Sequence, residues 1–217
     1  MKKTAYFTRD NIEDKAVSWI KKKDIYHLSH ERYSFIPVDS ALLVIDMQNY
    51  FIQASSHAFV PSAPAIIPGI SGLIELYYKL GRPVIFTRHL SNGSPDTMMK
   101  WWGDSTARDD ERSEIITSLD TGHGIILEKS TYDAFLHTDL ENILYTNGVK
   151  EIVICGVMTH LCCETTARSA FNRNFNVFIP MDGTATYNEA FHLAAFLNLS
   201  HGFAVPTLMR RLMEAFR

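Results

Sequence analysis

The sequence predicts an α/β fold of three layers, α/β/α, built on a mostly parallel, Rossmann-like sheet of about six strands. Short apolar runs such as residues 41–46 (ALLVID) and 151–155 (EIVIC) are typical of strands buried on both faces. Between such runs lie segments with helical periodicity, one of which ends at Gly81. Strands that alternate with helices imply right-handed crossovers and therefore a parallel sheet covered on both sides.

The individual elements follow from the same periodicities. Predicted strands are 41–46, 83–87 (PVIFT), 125–128 (IILE), 151–155, 176–181 (NVFIPM) and 203–205; predicted helices are 11–22, 66–80, 132–145, 161–172, 189–199 and 207–216. Pro180 marks the end of the fifth strand because proline donates no ladder hydrogen bond.

The length of the chain favours one globular domain. With 217 residues, 46% of them hydrophobic, it can bury one sizeable core, and two domains would be cramped. We predict an N-terminal arm at residues 1–37, which are mixed and polar, and a single domain at 38–217.

Composition limits the partners and the location. The formal net charge is -3 and 21% of residues are charged, whereas nucleic-acid binders usually carry a basic excess, so no nucleic-acid partner is expected. No apolar run reaches the roughly 18 residues of a membrane span, and acidic residues follow the basic start where a secretory signal needs apolar ones. We expect a cytoplasmic protein without a membrane partner. Three cysteines, Cys155, Cys162 and Cys163, suit a reducing compartment better than a disulfide framework.

Polar side chains gather at the predicted carboxyl ends of the strands, where ligands bind in parallel sheets. They are Asp46 after the first strand, Thr87, Arg88 and His89 after the second, Glu128 and Lys129 after the third, Thr159, His160 and Cys162 after the fourth, and Asp182 after the fifth. An acid, a cation and a thiol are thus predicted to converge on one edge.

Three of these residues suit nucleophilic catalysis. Cys162 is predicted at the start of a helix, whose positive end favours the thiolate. Asp46 could accept the thiol proton and return it to a leaving amine, and Lys129 could stabilise developing negative charge. Each also has a structural interpretation: a buried cysteine, a helix N-cap, and a lysine paired with a nearby acid. We interpret Cys155 and Cys163 as structural.

Three segments resemble the isochorismatase-like cysteine hydrolases. Residues 156–168 (GVMTHLCCETTAR) resemble the nucleophile motif of that family, 43–51 (LVIDMQNYF) its first strand with the catalytic acid, and 127–135 (LEKSTYDAF) its lysine segment. The likeness extends over roughly residues 38 to 216. It implies a hydrolase with an Asp46–Lys129–Cys162 triad, which cleaves an amide-like C–N bond through a thioester.

The resemblance also implies a cis peptide bond just before the nucleophile turn, at Val157–Met158. A non-proline cis bond is costly and is retained for a purpose. Our hypothesis is that it aims the backbone N–H groups of Met158 and Cys162 at an oxyanion.

Other activities within the family stay open. True isochorismatases hydrolyse a vinyl ether and carry glycine where Cys162 stands, but His160, Cys163 and the 101–103 segment (WWG) resemble their sequences. A non-catalytic binding relative is a further alternative. Nicotinamidase itself is disfavoured, because that subgroup resembles a metalloenzyme and the segment after Asp46 lacks its D-x-H motif.

No metal and no cofactor are expected. The chain contains no H-E-x-x-H, no C-x-x-C and no glycine-rich phosphate loop. We interpret His27 and His30 in the polar arm as solvent-exposed.

The predicted partner is a small-molecule substrate. Residues predicted to bind it are Phe51, Arg88, His89, Trp101, Trp102, Tyr132, Phe135, Thr159 and His160. Aromatic residues are also ordinary core residues, and Arg108, a second candidate for a substrate carboxylate, is better explained as a surface residue. The irregular segment 90–124 suits a lid or a subunit contact, and the family resemblance implies a homodimer or homotetramer.

Overall fold

The predicted α/β/α architecture is confirmed by a computed structural model, which describes residues 2–22, 25, 28–91 and 97–217. Seven parallel strands form one sheet: β1 Ser40–Ile45, β2 Val84–His89, β3 Ile125–Lys129, β4 Glu151–Val157, β5 Asn176–Pro180, β6 Thr184–Ala185 and β7 Val205–Thr207. The order across the sheet is β3-β2-β1-β4-β5-β7, and the short β6 pairs with β4. The sheet thus has one strand more than predicted.

Helices cover both faces of the sheet. They are α1 Ile12–Ile20, α2 Asn49–Ile52, α3 Ala63–Leu80, α4 Thr97–Trp102, α5 Leu140–Thr146, α6 Glu164–Phe171, α7 Glu189–Gly202 and α8 Met209–Glu214. Helix α3 packs against β1, β4 and α8, whereas α6 packs against β5 and α7. No helix within the described residues has both the length and the apolar character needed to cross a membrane.

The order of the strands reverses between β1 and β4. From β1 the chain steps outward to β2 and β3, and from β4 it steps in the opposite direction to β5 and β7. Because parallel crossovers are right-handed, α3 and α6 must lie on opposite faces of the sheet. This leaves a crevice at the carboxyl ends of β1 and β4, which is where open parallel sheets bind ligands.

Gly156 allows β4 to approach β1 closely at this crevice. It lies in register with Ile45, the last residue of β1, and has a φ of 115°. A Cβ atom on Gly156 would lie 2.1 Å from the carbonyl oxygen of Ile45. Only glycine fits there, since both the space and the backbone conformation exclude other residues.

The predicted helix at 132–145 is wrong in its first half, because only Leu140–Thr146 is helical. Upstream, local side-chain contacts replace the helical ladder. The Asp133 carboxylate accepts a hydrogen bond from the Phe135 N–H at 2.8 Å, and Thr166 Oγ1 accepts one from Ala134 N–H at 3.1 Å. These contacts hold the residues after β3 in turns.

The last predicted strand is displaced, and the predicted nucleophile helix begins with a π-helical turn. Strand β7 runs over Val205–Thr207 rather than 203–205, with Pro206 tolerated because β7 is an edge strand. Residues Thr159–Cys163 form the π-helical turn, and α6 continues from it at Glu164. Cys162 therefore lies in the π-helical turn that leads directly into α6.

The N-terminal segment contributes to the core. Tyr6, Phe7 and Trp19 are buried in the central hydrophobic cluster, so the segment packs onto the domain despite its polar composition. The exposure predicted for His30 is wrong: it is buried, and its Nε2 lies 2.9 Å from the Ser200 carbonyl oxygen. His27 lies outside the described residues.

Substitution of Gly156 by alanine should destabilise the protein strongly. The added methyl meets the Ile45 carbonyl at 2.1 Å at a positive φ, so we expect a loss of at least about 3 kcal/mol in the free energy of unfolding. The control is Gly81→Ala: its φ is 67° but the space is open, and it should cost only about 1–2 kcal/mol. Urea unfolding of both variants measures the difference, and equal losses would contradict the close approach.

Candidate active site

Asp46 follows β1 in an unusual backbone conformation. Its φ is 49°, which is uncommon for a residue other than glycine, and the Gln48 N–H donates to its carbonyl oxygen at 2.7 Å. Thr87 of β2 holds Asp46 through two hydrogen bonds. Its hydroxyl accepts from the Asp46 N–H at 3.0 Å and donates to Asp46 Oδ1 at 2.5 Å. The carboxylate is thereby held fully buried in one orientation.

Lys129 is the last residue of β3 and reaches across the end of β2 to Asp46. Its Nζ lies 2.7 Å from Asp46 Oδ2, and neither side chain is exposed. The same ammonium donates to the Thr131 carbonyl at 3.0 Å and lies 3.4 Å from His89 Nδ1. The lysine is therefore not a surface residue, and its charge is matched by a buried carboxylate.

Cys162 completes the group from the turn after β4. Its Sγ lies 3.5 Å from Lys129 Nζ, and the same ammonium lies 2.7 Å from Asp46 Oδ2. The predicted cis peptide bond at Val157–Met158 is confirmed. The Met158 carbonyl accepts hydrogen bonds from the N–H groups of Leu161 and Cys163, which stabilise the turn. The structure thus brings together the acid, cation and thiol that the sequence placed at one edge.

The charges of the site depend on each other. Burial raises the pKa of Asp46, but the adjacent Lys129 ammonium outweighs it and holds the pKa below its usual value. Burial likewise lowers the pKa of Lys129, and the Asp46 carboxylate more than compensates. Both groups are therefore charged near neutral pH.

The thiol behaves differently from expectation. Burial, and then the negative charge of Asp46, raise the pKa of Cys162 above its usual value, although Lys129 opposes them. The expectation that the helix end favours the thiolate is not met in the free site, because burial and the Asp46 charge outweigh any such effect. The resting form is a thiol beside an ionised carboxylate, so a thiolate requires proton transfer.

A cavity opens above Cys162. Its empty volume is about 660 Å³ including the solvent at its mouth, a size that suits a small molecule. Four of the predicted substrate-binding residues line it: Phe51, His89, Trp102 and Tyr132. Trp102 Nε1 donates to the Tyr132 hydroxyl at 2.8 Å, which joins two of these walls. Substrate contact by these residues stays a prediction.

Two predicted substrate contacts lie away from the cavity. The Arg88 guanidinium points into a cluster of acids and donates to Glu114 Oε1 at 2.5 Å. Arg108 pairs with Glu128 nearby. Trp101 is 77% exposed, whereas the adjacent Trp102 lines the cavity. Neither Arg88 nor Trp101 lines the cavity, contrary to the prediction that both contact the substrate.

Three further predicted contacts are used inside the protein. Phe135 is buried and stacks against Phe175. His160 Nδ1 lies 2.7 Å from Thr186 Oγ1. The Thr159 hydroxyl lies 3.1 Å from His192 Nδ1. Thr159 and His160 are thus members of the Thr159–Cys163 turn, Phe135 is a core residue, and none of the three lines the cavity.

The remaining cavity walls were not predicted. They include Tyr50, His57, Ala58, Leu90, Ser91, Met98, Met99, Asp104, Ser105, Thr106, Ser130, Leu161 and Tyr187. Many belong to the segment 90–124, whose irregularity was noticed but carries no residue-level signal. Thr87 stands at the end of a predicted strand, so the sequence already indicates its place at this edge of the sheet. Its contact with Asp46 is seen only in the structure. Within the described residues, no three His, Cys, Asp or Glu side chains are grouped as a metal site.

Comparison with known proteins identifies the family of the chain. A family model described as "Isochorismatase domain" matches residues 40–210. Nicotinamidase 3 of Arabidopsis thaliana is 43% identical over 171 residues, which cover 76% of this chain and 82% of that protein. The chain belongs to the isochorismatase family and is a hydrolase, which confirms the resemblance seen in the sequence.

Solved structures show the same fold. A cysteine hydrolase from Pseudomonas syringae pv. phaseolicola 1448A superimposes with a TM-score of 0.81 and 26% identity, over 85% of this chain and 95% of that chain. The N-carbamoylsarcosine amidase from Thermoplasma acidophilum gives a TM-score of 0.71 and 26% identity, over 79% and 96% of the two chains.

Removal of the Lys129 charge alone should be costly. Lys129→Met leaves the buried Asp46 carboxyl without its cation, so we expect the free energy of unfolding to fall by about 3–5 kcal/mol. The double variant Asp46→Asn/Lys129→Met removes both charges and should lie within about 2 kcal/mol of the wild type. Urea unfolding measures both. A double variant as unstable as the single one would show that the two charges are not coupled.

The reactivity of Cys162 should depend on pH as a raised pKa dictates. The rate of its modification by iodoacetamide should still increase above pH 9, because the thiolate is the reactive form. In Asp46→Asn the profile should shift to lower pH, since the charge that opposes the thiolate is gone. Mass spectrometry assigns the label, with buried Cys163 as the internal control. A wild-type rate that levels off below pH 8 would contradict the assignment.

Proposed function

We propose that the protein hydrolyses an amide-like C–N bond of a small molecule through a thioester on Cys162. In this mechanism Asp46 is the general base and acid, and Lys129 is the electrostatic stabiliser. The observation that supports it most is that Lys129 Nζ lies 2.7 Å from Asp46 Oδ2 and 3.5 Å from the Sγ of Cys162, which lines the cavity.

The first step transfers the thiol proton to Asp46. Before transfer the site holds a carboxylate, an ammonium and a thiol; afterwards it holds a carboxylic acid, an ammonium and a thiolate. The net charge is unchanged, and Lys129 exchanges one anionic partner for another without moving far. The pKa of Cys162 is raised in the resting site, so the transfer is completed as the thiolate attacks the substrate carbonyl.

The attack forms a C–S bond and places negative charge on the substrate oxygen. We assign the stabilisation of that oxyanion to the backbone N–H groups of Met158 and Cys162. The tetrahedral intermediate collapses by cleaving the C–N bond, and Asp46 returns its proton to the departing nitrogen. The products of this half-reaction are the amine, or ammonia, and a thioester on Cys162.

Water completes the cycle. Asp46, again ionised, takes a proton from a water molecule that attacks the thioester carbonyl, and the thiolate leaves and recovers its proton from Asp46. A carboxylic acid is released. One substrate and one water are thus converted to one acid and one amine, and the enzyme is regenerated.

The amide reaction is favoured over vinyl ether hydrolysis. In the vinyl ether reaction the aspartate protonates carbon and no nucleophile is needed, yet here a thiol lines the cavity and lies in hydrogen-bond contact with Lys129, which also pairs with Asp46. The non-catalytic alternative is disfavoured because Lys129 contacts both Asp46 and Cys162. The homo-oligomer and the cytoplasmic location stay predictions.

The cavity favours a flat substrate of modest size. Phe51, Trp102 and Tyr132 line it together with Tyr50 and Tyr187, so aromatic faces surround the thiol. The 43% identity with a nicotinamidase places nicotinamide among the substrates to be tested, although the chain lacks the D-x-H segment expected of that subgroup.

Ammonia release tests the proposal. Nicotinamide, benzamide, ureido acids and N-carbamoyl amino acids are supplied to the wild type, and isochorismate turnover is followed in parallel. At least one amide or ureido compound should release ammonia, and Cys162→Ala should reduce kcat by about 1,000-fold or more because the nucleophile is lost.

Cys163→Ala is the matched control. Cys163 is adjacent in sequence, fully buried, and absent from the cavity lining, so this variant should keep the wild-type kcat within about threefold. Isochorismate turnover that survives Cys162→Ala, without ammonia release from any amide, would replace the amide reaction by the vinyl ether one.

A further inference from the structure

The first residues of the chain lie against the wall of the cavity. We call residues 3–7 the N-terminal strap. The Lys3 ammonium donates to the His57 carbonyl at 2.6 Å and lies 4.2 Å from the centroid of the Tyr187 ring. The Thr4 N–H donates to the Tyr187 carbonyl at 2.9 Å. His57 and Tyr187 both line the cavity, so the strap contacts two residues of the cavity wall.

The hydroxyl of Tyr6 in the strap joins a buried hydrogen-bond cluster. It accepts from the Thr186 N–H at 3.0 Å and lies 3.0 Å from His192 Nδ1. Thr159 Oγ1 lies 3.1 Å from the same nitrogen. Tyr6 is only 5% exposed, and Thr159, Thr186 and His192 are fully buried, so water does not compete for these contacts.

The two titratable residues of this cluster, Tyr6 and His192, are uncharged, so the cluster acts through hydrogen bonds. Burial raises the pKa of the Tyr6 phenol and lowers the pKa of His192 to about 3, so both are neutral over the physiological range. Each member then contributes directional hydrogen bonds whose loss leaves a buried polar group without its partner.

The cluster reaches the nucleophile through Thr159. This residue begins the turn Thr159–Cys163, which carries Cys162. The strap itself is anchored, because the Ser62 hydroxyl accepts from the N–H groups of Tyr6 and Phe7 at 2.8 and 3.0 Å. A fixed point at the start of α3 is thus connected to the turn through the Tyr6 hydroxyl.

We propose that Tyr6 is a positioning residue, which holds the Cys162 turn in its reactive geometry from a segment outside the 40–210 family match. The proposal rests on the proposed function, in which Cys162 is the nucleophile. It makes the N-terminal strap part of the active site's support: Tyr6 orients the turn, and Lys3 and Thr4 steady the cavity wall.

Tyr6→Phe tests the role of the hydroxyl, because it removes one oxygen and keeps the ring. Iodoacetamide modification of Cys162 in the native protein, resolved by peptide mass spectrometry, should slow by about fivefold, the equivalent of one hydrogen bond. With an amide substrate, kcat should fall by a similar factor, whereas KM should change by less than about twofold, since Tyr6 does not line the cavity.

Phe7→Leu is the control for a merely structural effect. Its ring packs on Tyr6, Trp19 and His192, so the variant should lower the melting temperature, yet it removes no hydrogen bond and should leave the Cys162 rate within about twofold. General loosening would instead accelerate labelling and expose Cys155 and Cys163 as well.

Three outcomes would overturn the proposal: an unchanged Cys162 rate in Tyr6→Phe, equal slowing in Phe7→Leu, or labelling of all three cysteines in Tyr6→Phe. Wild-type Cys162 that resists iodoacetamide would be a fourth such outcome. Because labelling needs no substrate, these outcomes are independent of the proposed reaction, which is tested separately by ammonia release in the wild type and in Cys162→Ala.

Discussion

The buried ion pair between Asp46 and Lys129 is the interaction on which the site depends. Two charges removed from water are tolerated only when each is matched and hydrogen-bonded, and here Asp46 has Lys129 on one oxygen and Thr87 on the other. The pair keeps the carboxylate ionised next to a thiol whose proton it can take. It also provides a cation for the thiolate, so charge moves within the group without new desolvation.

The sheet places this pair where a substrate can reach it. The three side chains come from the ends of β1 and β3 and from the turn after β4, and β1 and β4 are neighbours at the point where the strand order reverses. Gly156 permits the close approach of these two strands, and the positive φ of Asp46 turns the chain away directly after β1. A crevice results, with the thiol at its floor.

Much of this arrangement could be predicted from the sequence. Apolar runs locate buried strands, and in a parallel sheet the residue after each run falls at the same edge, which suffices to bring Asp46, Lys129 and Cys162 together. The cavity walls could not be predicted in the same way. Arg88 and His89 are the last two residues of β2, yet only Arg88 points into a cluster of acids, because successive residues of a strand face opposite sides.

Contacts between residues far apart in the chain could not be predicted from the sequence either. Tyr6 contacts residues more than 150 positions away, and no local periodicity records such a pairing. The π-helical form of Thr159–Cys163 could not be predicted, because the sequence pattern does not distinguish a π-helical turn from an α-helical one. Cys162 has a raised pKa because of burial and the Asp46 charge, and in the proposed mechanism it relies on Asp46 for activation.

The most direct measurement is the mass of the Cys162 peptide during turnover of an amide substrate, after rapid acid quenching. The mechanism predicts that this peptide gains the mass of the substrate's acyl group, that hydroxylamine removes it, and that the Cys163→Ala variant shows the same adduct. Sustained turnover with the Cys162 peptide unmodified, together with full activity in Cys162→Ala, would contradict a covalent thioester.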